Sequence, residues 1–206
     1  MATINKALFV FIVALIIRSA YVWFFVEVDN LILEDQVMYI QLGKTMAETG
    51  DFLQVTNNGY TAVTDRLLGY PTLLAIVYSL FGENNMAVVV VQIIIDSLTC
   101  VVIALIAESV IKGGFIVAGI VSALNLNMII LSGMILTDTL FLFIFSLFIL
   151  LVYRYIKHPN SFKLFLLVSV LCLSVLVRPV SYYLVFLLLP LLIGFFIWRR
   201  MLFKQV

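Results

Sequence analysis

Six predominantly apolar runs, at 7–26, 86–107, 113–131, 134–153, 164–180 and 181–198, constrain this chain more than any other feature. A helix needs about 20 such residues to cross about 30 Å of hydrocarbon, and each run comes close to that length. A soluble fold of 206 residues has no interior large enough to hide so much, because small folds keep much of their residue set at the surface. Hydrophobic residues make up 65% of the chain and charged ones 11%, against about 25% charged in soluble domains. The solvent is therefore lipid. A soluble enzyme, a nucleic-acid binder and a disordered tail are excluded together, and a net charge of +1 offers a polyanion no partner. Cys100 and Cys172 both fall inside apolar runs, which speaks against a disulfide framework or a zinc site.

The run 7–26 carries Arg18 and lacks a small-x-small cleavage site, so it reads as a retained helix rather than a signal peptide. Basic residues then set the expected orientation. With the N-terminus inside, Lys6, Lys112, Arg154, Lys157, Lys163, Arg199, Arg200 and Lys204 are cytoplasmic, with Glu108 as the accompanying acid. The segment 26–70 falls outside, with Glu27, Asp29, Glu34, Asp35, Glu48, Asp51 and Asp65 against Lys44 and Arg66. The expectation is one integral membrane domain over 1–206, with no soluble domain. Both termini are cytoplasmic and the first loop is external, most simply in a bacterial or archaeal plasma membrane.

That loop, about 45 residues long, exceeds a simple connector. Within it, 34–49 predicts an amphipathic helix ended by Gly50. Asp35, Tyr39, Leu42 and Met46 share one stripe of it, and Gln41, Lys44, Thr45 and Glu48 face elsewhere. The stretches 52–56 and 60–64 flank Asn57-Asn58-Gly59, a hairpin signal. Pro71 suits the start of a short helix over 72–81, closed by Gly82 and too short to span. The predicted fold class is thus an all-α polytopic membrane protein. It has about six transmembrane helices and two amphipathic juxtamembrane helices, the second within 71–82.

Four ionisable residues lie in or near the apolar runs, where a charge at the bilayer centre costs roughly 2.5–3.5 kcal/mol. Arg18 and Asp96 lie at depths that differ by roughly 3 Å at about 1.5 Å per residue, and are read as a structural ion pair. Asp138 opens the fourth run's helix, where the helix dipole favours a carboxylate, and Arg178 precedes Pro179 at the end of the fifth. Helix capping by Asp138 and snorkelling by Arg178 would account for those two without any function. Together with Asp35 and Arg66, however, they form a rim of carboxylates and guanidiniums above apolar helices. Such a rim suits a lipid-linked anion.

The run Asp35-Gln36-Val37-Met38-Tyr39, followed by Glu48-Thr49-Gly50-Asp51-Phe52, resembles the first external loop of the GT-C membrane glycosyltransferases. The nearest branch is that of the protein O-mannosyltransferases and aminoarabinose transferases (family 39-like). Arg66-Leu67-Leu68-Gly69-Tyr70-Pro71, Tyr78-Ser79-Leu80-Phe81-Gly82, the acid at Asp138 and Arg178-Pro179 extend the similarity along the chain. Leu67 and Leu68 replace the family's proline pair, and Gln36 its usual second acid. Members are generally longer, so the resemblance implies an N-terminal module, a minimal version or one half of a heteromer.

The resemblance implies sugar transfer from a polyprenyl-phosphate-linked donor to an acceptor at the external face. Asp35 is then the catalytic base, and Arg66 the phosphate ligand. Arg178, Tyr39 and Asp138 complete the substrate-binding set. Membrane lipid and a second subunit or further C-terminal region are the implied partners, nucleic acid is not, and no cofactor is expected; a divalent cation near Asp35 and Asp138 is not favoured. Two other readings stay open. One is a non-catalytic scaffold or lipid-carrier-binding subunit. The other is a transporter or flippase built around Arg18 and Asp96, with Pro190 and Gly194 as hinges. His158, in a polar connector, reads as solvated.

Overall fold

The computed structural model describes residues 2–30, 33–56, 59–63 and 66–183, together with Phe186, Pro190 and Gly194. Among them, three helices are long and apolar enough to cross a membrane: α1 (Ala2–Phe25, apolar from Thr3), α4 (Asn85–Val110) and α7 (Thr137–Lys157). Each is free of proline, and the Asn84 side chain starts α4 by accepting from the Ala87 N–H at 3.1 Å. The protein is a mostly helical integral membrane protein.

The run 113–131, expected as one span, is instead two helices, α5 (Gly114–Ala123) and α6 (Leu126–Ser132), bent by 56°. The reason is local. Asn125 is extended and its side-chain oxygen accepts from the Met128 N–H at 3.1 Å, so a new helix begins in the middle of the apolar run. Counted as one broken span, the pair brings the total to four. The fifth run forms α8 (Ser161–Val177), begun by an Asn160 cap on the Phe162 N–H. Its 17 residues reach about 25 Å at 1.5 Å per residue, short of a full crossing. The expected sixth span, 181–198, lies mainly outside the described residues.

Between α1 and α4 the chain forms α2 (Glu34–Thr49), a hairpin of β1 (Leu53–Thr56) and β2 (Gly59–Ala62), and α3 (Gly69–Phe81). Gly50 follows α2, and its N–H closes on the Met46 carbonyl at 3.0 Å. The strands are shorter than predicted and antiparallel, with Thr56 opposite Gly59. Gly59 therefore opens β2 rather than sitting in the turn, and Asn57 and Asn58 lie outside the described residues. Helix α3 starts at Gly69, two residues before Pro71. Proline is tolerated there because the first-turn N–H groups have no intrahelical acceptor.

Helix α2 docks on α3, which moves its buried face away from the predicted stripe. Gln36, Ile40, Leu42, Gly43 and Thr45 are buried, Asp35 is exposed, and Tyr39 and Met46 are at the edge. Ile40, Tyr70, Leu74, Val77 and Tyr78 join Val88, Val89 and Ile93 of α4 in one core. A second core joins α1, α4 and α5 through Val10, Ala14, Cys100, Ala104 and Phe115. Helix α4 contacts α1, α5 and α7, and α8 packs on α7.

Candidate functional site

Four elements converge where the loop layer meets the helix bundle: the first turns of α2 and α7, the approach to α3 and the end of α8. Each brings one charged residue. Asp35 stands in the first turn of α2, where the helix dipole favours a carboxylate. Arg66, just before α3, donates from Nη2 to Asp35 Oδ1 at 2.7 Å and from Nε to the Met38 sulfur at 3.2 Å. Asp138 stands in the first turn of α7, and Arg178 Nη1 donates to its Oδ1 at 2.5 Å. Pro179 explains Arg178: a residue before proline is held extended, so α8 stops and the side chain turns toward α7.

Tyr39 joins the two ion pairs. The Arg66 guanidinium carbon lies 6.0 Å from the centre of its ring, a cation–π distance, and the Arg178 guanidinium carbon lies 5.6 Å from that of Phe141. The Tyr39 phenol is electrostatically coupled to the Thr137 side chain and to both guanidiniums. Burial raises its pKa above the usual tyrosine value, Arg66 opposes that, and Asp35 adds to it. The phenol keeps its proton at neutral pH and is a hydrogen-bond donor. All four charged side chains remain partly open to solvent, so each pair alone is worth about 0–1 kcal/mol. What the arrangement offers is two guanidinium forks on one rim.

The support beneath the rim is buried. Tyr70 is fully buried, meets Tyr39 edge-on with centroids 5.1 Å apart, and donates to Gln92 Oε1 at 2.5 Å. Gln92 Nε2 in turn donates to the Met134 carbonyl at 2.7 Å. This chain ties α3 and α4 to the connector that aims α7. Gly69 lets α3 approach α8 so closely that a Cβ would lie 2.7 Å from the Leu176 carbonyl oxygen.

All five rim residues singled out in the sequence, Asp35, Tyr39, Arg66, Asp138 and Arg178, thus lie in one place. Thr137, Tyr70, Phe141 and Gln92 were missed. For Gln92 a signal existed: a polar amide inside the run 86–107.

Arg18 and Asp96 lie elsewhere, within the bundle, and are both buried. Arg18 Nε donates to Asp96, Nη1 to the carbonyls of Ala14 at 3.3 Å and Ala123 at 3.2 Å, and Nη2 to the Cys100 sulfur at 3.2 Å. The Ala123 carbonyl closes α5 at the helix break, where it has no next turn to bind.

A hollow of about 700 Å³ lies beside the rim, between the end of α1, the first turn of α2 and the end of α6. Gln36 lines it; Asp35, one residue earlier in the same turn, is paired with Arg66 and is not part of the lining.

A sequence-family model described as dolichyl-phosphate-mannose-protein mannosyltransferase matches residues 65–206, more than two thirds of the chain. The match includes Arg66, Asp138 and Arg178 and begins after Asp35 and Tyr39. No curated protein and no solved structure matches the chain.

Proposed function

The chain belongs to the dolichyl-phosphate-mannose-protein mannosyltransferase family, within the GT-C membrane glycosyltransferases, and on that basis we propose that it moves a sugar from a polyprenyl-phosphate-linked donor to an acceptor at the external face. The observation that carries this reading is the rim itself, where Arg66 lies over Tyr39, Arg178 is within electrostatic reach of the same phenol, and each guanidinium faces a carboxylate.

The donor phosphodiester exchanges for the carboxylates on the two guanidiniums, whose planar forks match phosphate oxygens. Release from Arg66 frees Asp35 to accept a proton from the acceptor hydroxyl or amine. The acceptor atom bonds to the anomeric carbon. The bond from that carbon to the phosphate oxygen breaks, and its electron pair leaves with the polyprenyl phosphate. Arg66 and Arg178 offset the charge that builds on the leaving phosphate. Asp138 positions Arg178, and the Tyr39 phenol donates to a donor oxygen. The external placement rests on the acidic 26–70 segment and the basic cytoplasmic connectors. The single membrane domain over 1–206 rests on the hydropathy pattern, and among the described residues the contacts of α4 with α1, α5 and α7 and of α7 with α8 support it.

Asp35→Asn keeps the shape of the side chain and removes the base. Sugar transfer in proteoliposomes is expected to fall by about 10²–10⁴-fold, the range of general-base catalysis, while thermal unfolding stays unchanged. Transfer at the wild-type rate would reject the role of Asp35.

A second reading, a carrier-binding subunit without catalysis, is favoured by one observation: both guanidiniums are already matched by carboxylates, as in simple structural staples. Donor binding with no transfer by the purified full chain would select it.

A further inference from the structure

The hollow beside the rim is assigned no ligand by the chemistry above, and its lining mixes aromatic, aliphatic and polar residues. Trp23, Phe24 and Phe25 are 83%, 74% and 78% exposed. They occupy the last turn of a spanning helix, where aromatic side chains meet the headgroup layer. Glu27, Asn30 and the buried Gln36 are the polar residues of the lining, set among aliphatic ones such as Val26, Val28 and Ile130, and the Gln36 oxygen also accepts from the Leu33 N–H at 3.2 Å. Among the described residues no lysine or arginine lines it. A site with a carboxylate, two amides and no cation disfavours phosphate, whereas its volume falls in the range of about 300–1,000 Å³ that suits a small molecule or part of a lipid.

We infer that this hollow holds the acceptor, an amphiphile whose head is a hydroxyl or amine without negative charge and whose apolar body runs out past Trp23 and Phe24 into lipid. The inference rests on the sugar-transfer reading and adds the class of acceptor. Its geometry follows from α2. Successive side chains on a helix are about 100° apart, so Asp35 turns to Arg66 and Gln36 turns to the hollow. The first turn of α2 thus borders both places, so an acceptor head at the edge of the hollow nearest Gln36 sits next to Asp35, the proposed base.

The full chain in proteoliposomes, photolabelled with a diazirine-tagged long-chain alkyl amine and with its alkyl phosphate counterpart, tests this. The amine is expected on the peptides around Trp23 to Asn30 and Ile130 to Met134, and the phosphate around Arg66 and Arg178. Glu27→Gln should lower amine labelling by about two- to fivefold, the range of an exposed ion pair, and leave phosphate labelling unchanged. Gly133→Leu adds bulk on the wall, where even a Cβ would lie 3.2 Å from Val26 Cγ2, and should block the amine and a matching alkyl alcohol alike. Should that variant fail to fold, Glu27→Gln alone decides. Phosphate labelling in the hollow, amine labelling indifferent to Glu27→Gln, or labelling there by a hydroxyl-bearing peptide in place of the amphiphiles would overturn the inference. Phosphate labelling at the arginines is scored separately. Its absence rejects the sugar-transfer reading, and its presence beside an unlabelled hollow rejects the acceptor site alone.

Discussion

At the scale of single residues, Arg18 shows what a buried charge demands. It meets a carboxylate, a sulfur and two carbonyls from three helices. Removing it strands Asp96 without a cation in an apolar surrounding. Arg18→Leu is expected to destabilise the protein by about 3–5 kcal/mol, read by denaturant unfolding in detergent. Arg18→Leu with Asp96→Leu should recover most of that loss, because a matched apolar pair leaves no orphan charge. A double variant no more stable than the single one would show that the other Arg18 contacts dominate. The ionisable residues of the spans and rim were legible in the sequence because a charge near an apolar run is expensive and stands out. Thr137, Tyr70 and Phe141 were not, since hydroxyls and aromatics occur throughout such runs and only packing decides which of them matter.

At the scale of elements, boundaries set by capping residues were readable and partners were not. Glu34 and Gly50 bound α2 as its acidic first turn and terminal glycine predict, yet its buried face follows α3, about which a local pattern says nothing. The break between α5 and α6 was hidden because hydropathy averages over a window longer than either helix, and the capping residue Asn125 was a weak local sign. Asn125→Leu should cost about 0.5–2 kcal/mol, the worth of a helix N-cap, visible as a lower unfolding temperature. An unchanged unfolding temperature would mean that the bend is imposed by packing instead. The α2–α3 layer also carries Tyr39, Tyr70 and Tyr78, each with its pKa raised above the ordinary value, chiefly by burial. A folded-state pKa above the unfolded one stabilises fully below the unfolded value, about 10 for tyrosine, and that contribution fades as pH rises toward the folded value. The layer should therefore loosen only above about pH 10. Tyrosinate absorbance in the folded protein should lag behind that of the denatured chain, and coincident titrations would contradict it.

For the whole molecule, the rim and the hollow both stand at the end of the bundle that carries the loop layer, so the side of the membrane on which that end lies decides which substrates it meets. In a background of Cys100→Ser and Cys172→Ala, Glu48→Cys is expected to react with an impermeant maleimide on intact cells. Lys157→Cys should react only after permeabilisation, since both positions are exposed on the protein but at opposite ends of it. The reverse pattern would invert the topology. The matched ion pairs on the rim have a last consequence. At rest the four groups form a zwitterion, so dissolved inorganic phosphate gains little by replacing either carboxylate. Under the proposed function, an anion tethered to the bilayer by its own hydrocarbon arrives at a high effective concentration and would win that exchange. Selection against soluble competitors is then a matter of anchoring, with no need for a steric gate.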